Sequence, residues 1–292
     1  MSTAAEGIDL HMHTSYSDGS DTPSQLVQKA AQHGLRTIAI TDHDTVAGVP
    51  EAQRAGLLHG VEVLAGVELS VQYQEYSDIH VLGYLFDPQH EPLLTQLRLM
   101  QQRRVQRGME ILARVNVRLT QRGQAPLARE RVLQRARGAL ARPHLAQELI
   151  AQGYVRTVEE AFQEFLIPCD VPKAGLYPEA AFTLVAQAGG VCSLAHPGII
   201  SPAPEVLEQL LATFTAMGLV GVEAYHHCHN AAGVEFFLGC ARRYGLVATG
   251  GSDYHGRPQG AQLGEMAPGQ TIPGHLLADL RQAHMARRWE SA

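Results

Sequence analysis

The sequence predicts an α/β fold: about seven strands wound with helices into a (β/α)7-type barrel, interrupted by one small helical insertion. Three observations predict it. Short apolar runs alternate with helical patterns at both ends of the 292-residue chain, the mark of parallel strands joined by crossover helices. The middle, roughly 91–172, has almost no strand signal. Histidines and acidic residues recur at or near the ends of the apolar runs, where barrels of parallel strands place their active sites.

Each element has its own local reason. Gly7–Leu10 reads as the first strand. Pro23 opens a helix that runs to His33 and is stopped by Gly34. Thr37–Ile40 is the second strand, followed by a helix from about Pro50 to His59 closed by Gly60. Val61–Val67 and Ile79–Leu85 read as further strands. In the middle, Leu97–Arg122 reads as a long helix, and Thr157 with Glu160 forms a capping box for another. The alternation then resumes: helix Pro178–Ala188, strand Val191–Ala195, helix Pro204–Met217, strand Val220–Ala224, helix Ala231–Tyr244, strand Leu246–Thr249. The expected organisation is a barrel over 1–98 and 173–292, with the insertion at 99–172.

Composition narrows the class. Hydrophobic residues make up 45 % and charged residues 18 %, enough for a core without disulfide staples. Cys169, Cys192, Cys228 and Cys240 show no C-x-x-C spacing, as expected of buried thiols in a reducing cytoplasm. No apolar run reaches about 18 residues, so no membrane span is expected, and Met1 to Gly7 lack the regions of a signal peptide. A net charge of −6 argues against a nucleic-acid coat protein. The charge is uneven, however. Between Arg98 and Arg142, 12 arginines and two acids (Glu110 and Glu130) give +10, leaving −16 for the rest of a chain that totals −6. Arg104, Arg107, Arg114 and Arg118 fall near one helical face, either a solvated face or a lid bringing guanidinium groups to an anionic substrate.

The 15 histidines are the sharper signal. His11 and His13 follow the first strand; alternate residues of an extended segment point the same way and can bind one metal together. Asp18 comes five residues after His13. Thr41-Asp42-His43-Asp44 ends the second strand, Glu68 follows the third, His80 lies in the fourth, and His196, Asp253 and His255 follow later strands. Carboxylates and imidazoles gathered in a protein interior need partners, and metal ions supply them. The donors are nitrogen and oxygen with no thiolate, which suits Mn²⁺, Zn²⁺ or Fe²⁺.

Asp9-Leu-His-Met-His-Thr-Ser-Tyr-Ser-Asp-Gly, Thr41-Asp-His-Asp-Thr, Gly66-Val-Glu, Ala195-His-Pro and Gly251-Ser-Asp-Tyr-His, in that order, resemble the motifs of the PHP (polymerase and histidinol phosphatase) family. The resemblance covers about 8–90 and 173–260. Gly138-Ala-Leu-Ala-Arg142-Pro-His144 and Val171-Pro-Lys173 resemble the stand-alone phosphoesterases of that family, most of all the 3′,5′-nucleoside bisphosphate phosphatases. It implies a distorted (β/α)7 barrel and two or three divalent ions, Mn²⁺ first. His11, His13, Glu68 and Asp253 would hold the first ion. Glu68 would bridge to a second with His80 and His196. Asp18, His43 and His255 would hold a third; some members carry His where this chain has Asp18.

The activity implied is removal of the 3′-phosphate from a bisphosphonucleotide by a metal-bridging hydroxide, with Glu68 and Asp253 as catalytic ligands. His229 is expected as substrate ligand or general acid, and His226 and His227 as structural. Asp44 is expected to orient His43. Arg142, Lys173, His144, Arg104 and Arg107 are expected to meet the substrate, above all its second phosphate. The partner is a small nucleotide bisphosphate, with no obligate protein partner expected. Alternatives are a 5′-3′ exoribonuclease on short RNA, a histidinol-phosphate-type monoesterase and a non-catalytic metal-bearing module.

Overall fold

The computed structural model describes residues 7–136, 140–257 and 260–290. Met1–Glu6, and Gly138 and Ala139 of the insertion motif, lie outside the described residues. One sheet organises the fold, with strands in the order β1 (Gly7–Asp9), β2 (Leu35–Ile40), β3 (Glu62–Tyr73), β4 (Tyr76–Tyr84), β5 (Val191–Leu194), β6 (Gly221–Tyr225) and β7 (Val247–Gly250). Beyond the strand ends its two edges meet. Leu10 N–H reaches Gly250 O at 3.3 Å, and His13 N–H reaches Tyr254 O at 2.9 Å.

Helices α1 (Pro23–Gln32), α2 (Val49–His59), α7 (Pro178–Gln187), α8 (Pro204–Ala216) and α9 (Ala231–Tyr244) connect or flank the strands, and their ends follow local chemistry. Thr22 and Gln25 form a reciprocal capping box before Pro23, and Asn230 accepts from Gly233 N–H to open α9. Gly60 and Gly245 end α2 and α9 in the left-handed region at φ 67°, which costs glycine little.

The expectation of an all-parallel sheet is corrected at β4, which runs antiparallel to both β3 and β5. The chain reverses through Gln74, at φ 52°, and β3 and β4 form a hairpin instead of a crossover. His80 therefore sits inside β4, paired in register with Ser70. The apolar run alone does not report strand direction.

Helix α3 (Glu91–Gln121) spans two cores. Its first turns bury Leu93, Leu97 and Met100 with the sheet's helices. Its later turns bury Ile111, Leu112, Val115 and Leu119 against α4 (Arg129–Ala136), α5 (Arg142–Ala151) and Phe165. The expected boundary between 98 and 99 thus falls within one helix. α6 (Val158–Ala161) runs into a π-helical turn at Phe162–Leu166. A short hairpin of β8 (Glu265–Ala267) and β9 (Gln270–Thr271) precedes α10 (His275–Glu290). The sequence reading had no element here. Leu276, Leu277 and Leu280 of α10 pack with Ile8 and Leu10.

Candidate metal centre and adjoining cleft

The segment leaving β1 carries His11 and His13, both fully buried. Room for them depends on small neighbours. A Cβ at Gly251 would lie 2.2 Å from the His11 Cβ, and one at Gly19 would lie 2.3 Å from the His13 carbonyl oxygen. Buried carboxylates tie the surrounding loops. Asp9 accepts from Ser252 Oγ at 2.6 Å and Gly264 N–H at 2.8 Å, and Asp42 accepts from Thr14 N–H at 2.7 Å and Ser17 Oγ at 2.5 Å. Ser17 and Ser252 are thus donors to these carboxylates.

Glu68 of β3 is the hub. Its oxygens lie 2.8 Å from His43 Nδ1, 2.9 Å from His80 Nδ1, 3.0 Å from His196 Nε2, 3.3 Å from His13 Nε2 and 3.5 Å from His11 Nε2. Asp253 Oδ1 lies 3.1 Å from His13 Nε2 and 3.5 Å from His11 Nε2. Asp18 Oδ1 lies 3.1 Å from His255 Nε2 and 3.9 Å from His43 Nε2. The fold therefore brings all nine expected ligands together.

These residues fit metal ions. Two atoms bound to one ion at about 2.1 Å lie about 3.0–3.4 Å apart at octahedral or tetrahedral angles. The Nε2 atoms of His11 and His13 are 3.2 Å apart, and His80 Nδ1 is 3.3 Å from His196 Nε2. Asp18 Oδ1, Glu68 Oε2 and His43 Nδ1 are buried and, although other polar atoms of the cluster lie within 2.8–3.1 Å, none is aligned to hydrogen-bond them; such ligating atoms call for a cation. Sets such as His11/His13/Asp253, His43/Glu68/His80 and His13/Asp18/His43/His255 can each hold an ion.

The electrostatics agree. Burial, with His255 and His43 nearby, lowers His13 to about 4, and burial beside Lys173 lowers His80 to about 3; both are neutral, the ligating form. Burial alone would raise Glu68, but His43, His80 and His11 outweigh it and hold the carboxyl well below its usual range. Burial would lower His11, yet Glu223, Asp253 and Glu68 raise it well above its ordinary value. The cluster attracts positive charge. His196 (φ 27°) and Asp253 (φ 56°) hold strained backbone, a kind of conformation that concentrates at functional sites.

The remaining predicted residues divide. A cleft of about 360 Å³ is lined by Asp18, His43 and His80, by Lys173, Arg104, Arg107 and Arg142, and by Phe162. Lys173 Nζ lies 3.2 Å from His80 Nε2. Arg104 is only partly available to a substrate, because its guanidinium bonds Asp44 and donates to Ser70 Oγ at 2.7 Å. That pairing also corrects Asp44. Its carboxylate takes Ser70 N–H at 2.7 Å and Arg104 instead of orienting His43.

His144 Nδ1 accepts from Ala141 N–H at 3.1 Å, capping α5, and the residue lines a second cleft, of about 810 Å³, together with Asp18. His229 has both ring nitrogens engaged. Nδ1 donates to Ala224 O at 2.9 Å, and Nε2 accepts from Gly198 N–H at 3.1 Å. It therefore secures the turn after His196, and in this geometry neither nitrogen is left for a substrate. His226, expected as structural, is buried with Nε2 unpartnered 3.6 Å from Asp253 Oδ2. Glu223 and Phe162 were not singled out from sequence. Glu223 lies inside an apolar strand pattern in which a lone Glu signals nothing, and Phe162 belongs to none of the motifs.

Comparison with known proteins agrees with this geometry. A family model described as the PHP domain matches residues 9–153. The chain is 29 % identical to a 3′,5′-nucleoside bisphosphate phosphatase of Chromobacterium violaceum, covering 87 % of this chain and 89 % of that one. It is 32 % identical to a phosphoribosyl 1,2-cyclic phosphate 1,2-diphosphodiesterase of Eggerthella lenta (85 % and 94 %) and 33 % identical to a 5′-3′ exoribonuclease of Salmonella typhimurium (85 % and 84 %). Among solved structures, an amidohydrolase from Chromobacterium violaceum with bound sulfate and no metal superposes with TM-score 0.82 at 28 % identity, over 95 % of this chain and 96 % of that one.

Proposed function

Because this chain belongs to the PHP-domain family of phosphoesterases, we propose that it removes the 3′-phosphate of 3′,5′-bisphosphonucleotides, giving nucleoside 5′-monophosphate and phosphate. One observation carries the reading: a single cleft is lined both by Asp18, His43 and His80 of the cluster and by Arg107 and Arg142. A monoester substrate needs only the first set; a bisphosphate uses both.

His11, His13, Glu68 and Asp253 would hold one ion, Glu68, His80 and His196 a second, and Asp18, His43 and His255 a third, with Mn²⁺ the ion we assign. Bound there, such ions supply activated water and neutralise phosphoryl charge. The protein's own part is positioning. Lys173, beside His80, brings its ammonium to the reacting phosphate, and Arg142 and Arg107 receive the non-reacting one. Glu223 keeps His11 and His196 in place. Covalent work by a side chain is not needed.

The test is phosphate release by Mn²⁺-loaded enzyme from 3′-phosphoadenosine 5′-phosphate and from adenosine 3′-monophosphate. We expect strong preference for the bisphosphate. Equal use of both would remove the second-phosphate site, and no release from either would remove the function.

A second reading, exoribonuclease on short RNA, is favoured by the second cleft, lined by Asp18, Gln25, Gln134, Gln147 and Gln152. A longer chain has room there. Against it, Phe162 is the one Phe, Tyr or Trp lining either cleft among the described residues, whereas single strands are usually gripped by successive aromatic platforms. A 5′-phosphorylated RNA trimer offered beside the bisphosphate separates the two.

A further inference from the structure

Asp170 does not line the cleft, yet it organises the two guanidinium groups that do. Its Oδ1 accepts from Arg107 Nη2 at 2.5 Å, and its Oδ2 from Arg142 Nη1 at 3.0 Å. The same segment is tied by its main chain. Arg107 Nε donates to Val171 O at 2.6 Å, and Arg114 donates to the Asp170 carbonyl. Val171, Pro172 and Lys173, the next three residues, form part of the cleft wall. Arg142 has one further support, since its guanidinium lies over the Phe162 ring at 5.5 Å from the centroid.

We propose that Asp170 is a positioning residue for the non-reacting phosphate: it holds the guanidinium groups of Arg107 and Arg142 in one orientation at the cleft wall, where an anion would meet them. The proposal rests on the bisphosphate reading above. Two opposed effects must be weighed. A carboxylate near the site subtracts positive charge, which disfavours a phosphate. It also removes the rotational freedom that a long arginine side chain otherwise loses on binding. The Asp170 side chain is 38 % exposed, against 16 % for Arg107 and 22 % for Arg142. Solvent around the exposed carboxylate therefore weakens its repulsion of an anion, while the hydrogen bonds that aim the guanidinium groups persist. Orientation outweighs repulsion, and the backbone ties keep the segment in place when only the carboxylate is altered.

The experiment compares wild type, Asp170→Asn and Asp170→Glu, all Mn²⁺-loaded. Adenosine 5′-monophosphate carries only the non-reacting phosphate, so its calorimetric affinity reports on this site. Asp170→Asn is expected to weaken it about 3- to 10-fold and to raise KM for the bisphosphate by the same factor. We expect kcat, and KM for adenosine 3′-monophosphate, to stay as in wild type. Asp170→Glu, which keeps the charge, is expected to restore most of the affinity.

Tighter binding of the 5′-monophosphate by Asp170→Asn would overturn the proposal, showing that the carboxylate acts as a competitor. A lowered melting temperature with an unchanged KM ratio would overturn it too, leaving Asp170 a merely structural tie. If wild type turns over the bisphosphate and Asp170→Asn behaves identically, this proposal fails alone. If wild type releases nothing from the bisphosphate, the reading above fails, and titration of both proteins with inorganic phosphate still decides the role of Asp170.

Discussion

Glu223 Oε1 lies 3.0 Å from His11 Nδ1, and its second oxygen accepts the His196 backbone N–H at 2.7 Å. One fully buried carboxylate thus sets two residues of the cluster. Holding the proton on His11 Nδ1 leaves Nε2 to face Glu68 and Asp253. Glu223→Gln is expected to weaken metal binding about 10- to 100-fold, measured by titrating Mn²⁺ into chelator-treated protein. Unchanged affinity would show that Glu223 has no part in presenting His11.

His229 makes the opposite case, a histidine near the site whose ring is already spent. Removing it leaves Gly198 N–H without its acceptor and loosens the turn that follows His196. His229→Ala is expected to cost about 1–3 kcal/mol in stability and to lower kcat while keeping both limbs of the pH profile. Loss of one limb at unchanged melting temperature would reinstate it as the acid that protonates the leaving oxygen.

Arg104 links α3 to the sheet through Asp44 and Ser70, and Asp44 is almost wholly buried. Arg104→Gln strands that carboxylate, so we expect a loss of about 3 kcal/mol in urea unfolding. The Arg104→Gln/Asp44→Asn pair should lose less than the two single changes added together. Strict additivity would mean that the two groups do not interact.

Glu148 gives a pH signature from a carboxylate outside the cluster. Burial alone would raise its carboxyl, but hydrogen bonds from Arg135 (2.6 Å) and Gln152 (2.8 Å) outweigh it and hold the group below its usual range. A depressed native value stabilises the fold above the unfolded value of about 4.3. The contribution is lost as pH falls through the native value. Glu148→Gln should therefore be less stable than wild type at neutral pH and converge with it in acid. A gap of the same size at both ends would contradict this.

Much was legible because it is local. Pro23 and Gly60 mark helix ends through local backbone geometry, and the helix Ala231–Tyr244 has the bounds its sequence predicts. The H-x-H pair is likewise local, since alternation along an extended segment aims His11 and His13 together whatever surrounds them. The recurrence of His43, His196 and Asp253 just past strand ends then gathers them as soon as the strands align side by side, whereas Glu68, expected just past its strand, lies inside β3, which runs on to Tyr73.

What only the tertiary structure decided depends on partners distant in sequence. The direction of β4 is set by its hairpin with β3, so His80 arrives from within a strand. The apolar face of α10 could be read only with Ile8 and Leu10 beneath it. The same holds for polar roles. Arg104, Asp44, His144 and His229 are residue types that suit a site, but each is claimed by a partner that the fold supplies: Asp44 with Ser70, Arg104, the α5 N-terminus, and Ala224 with Gly198. Residue type and spacing specify what a side chain can do; whether its lone pairs and protons remain for a substrate depends on which groups the fold packs against it.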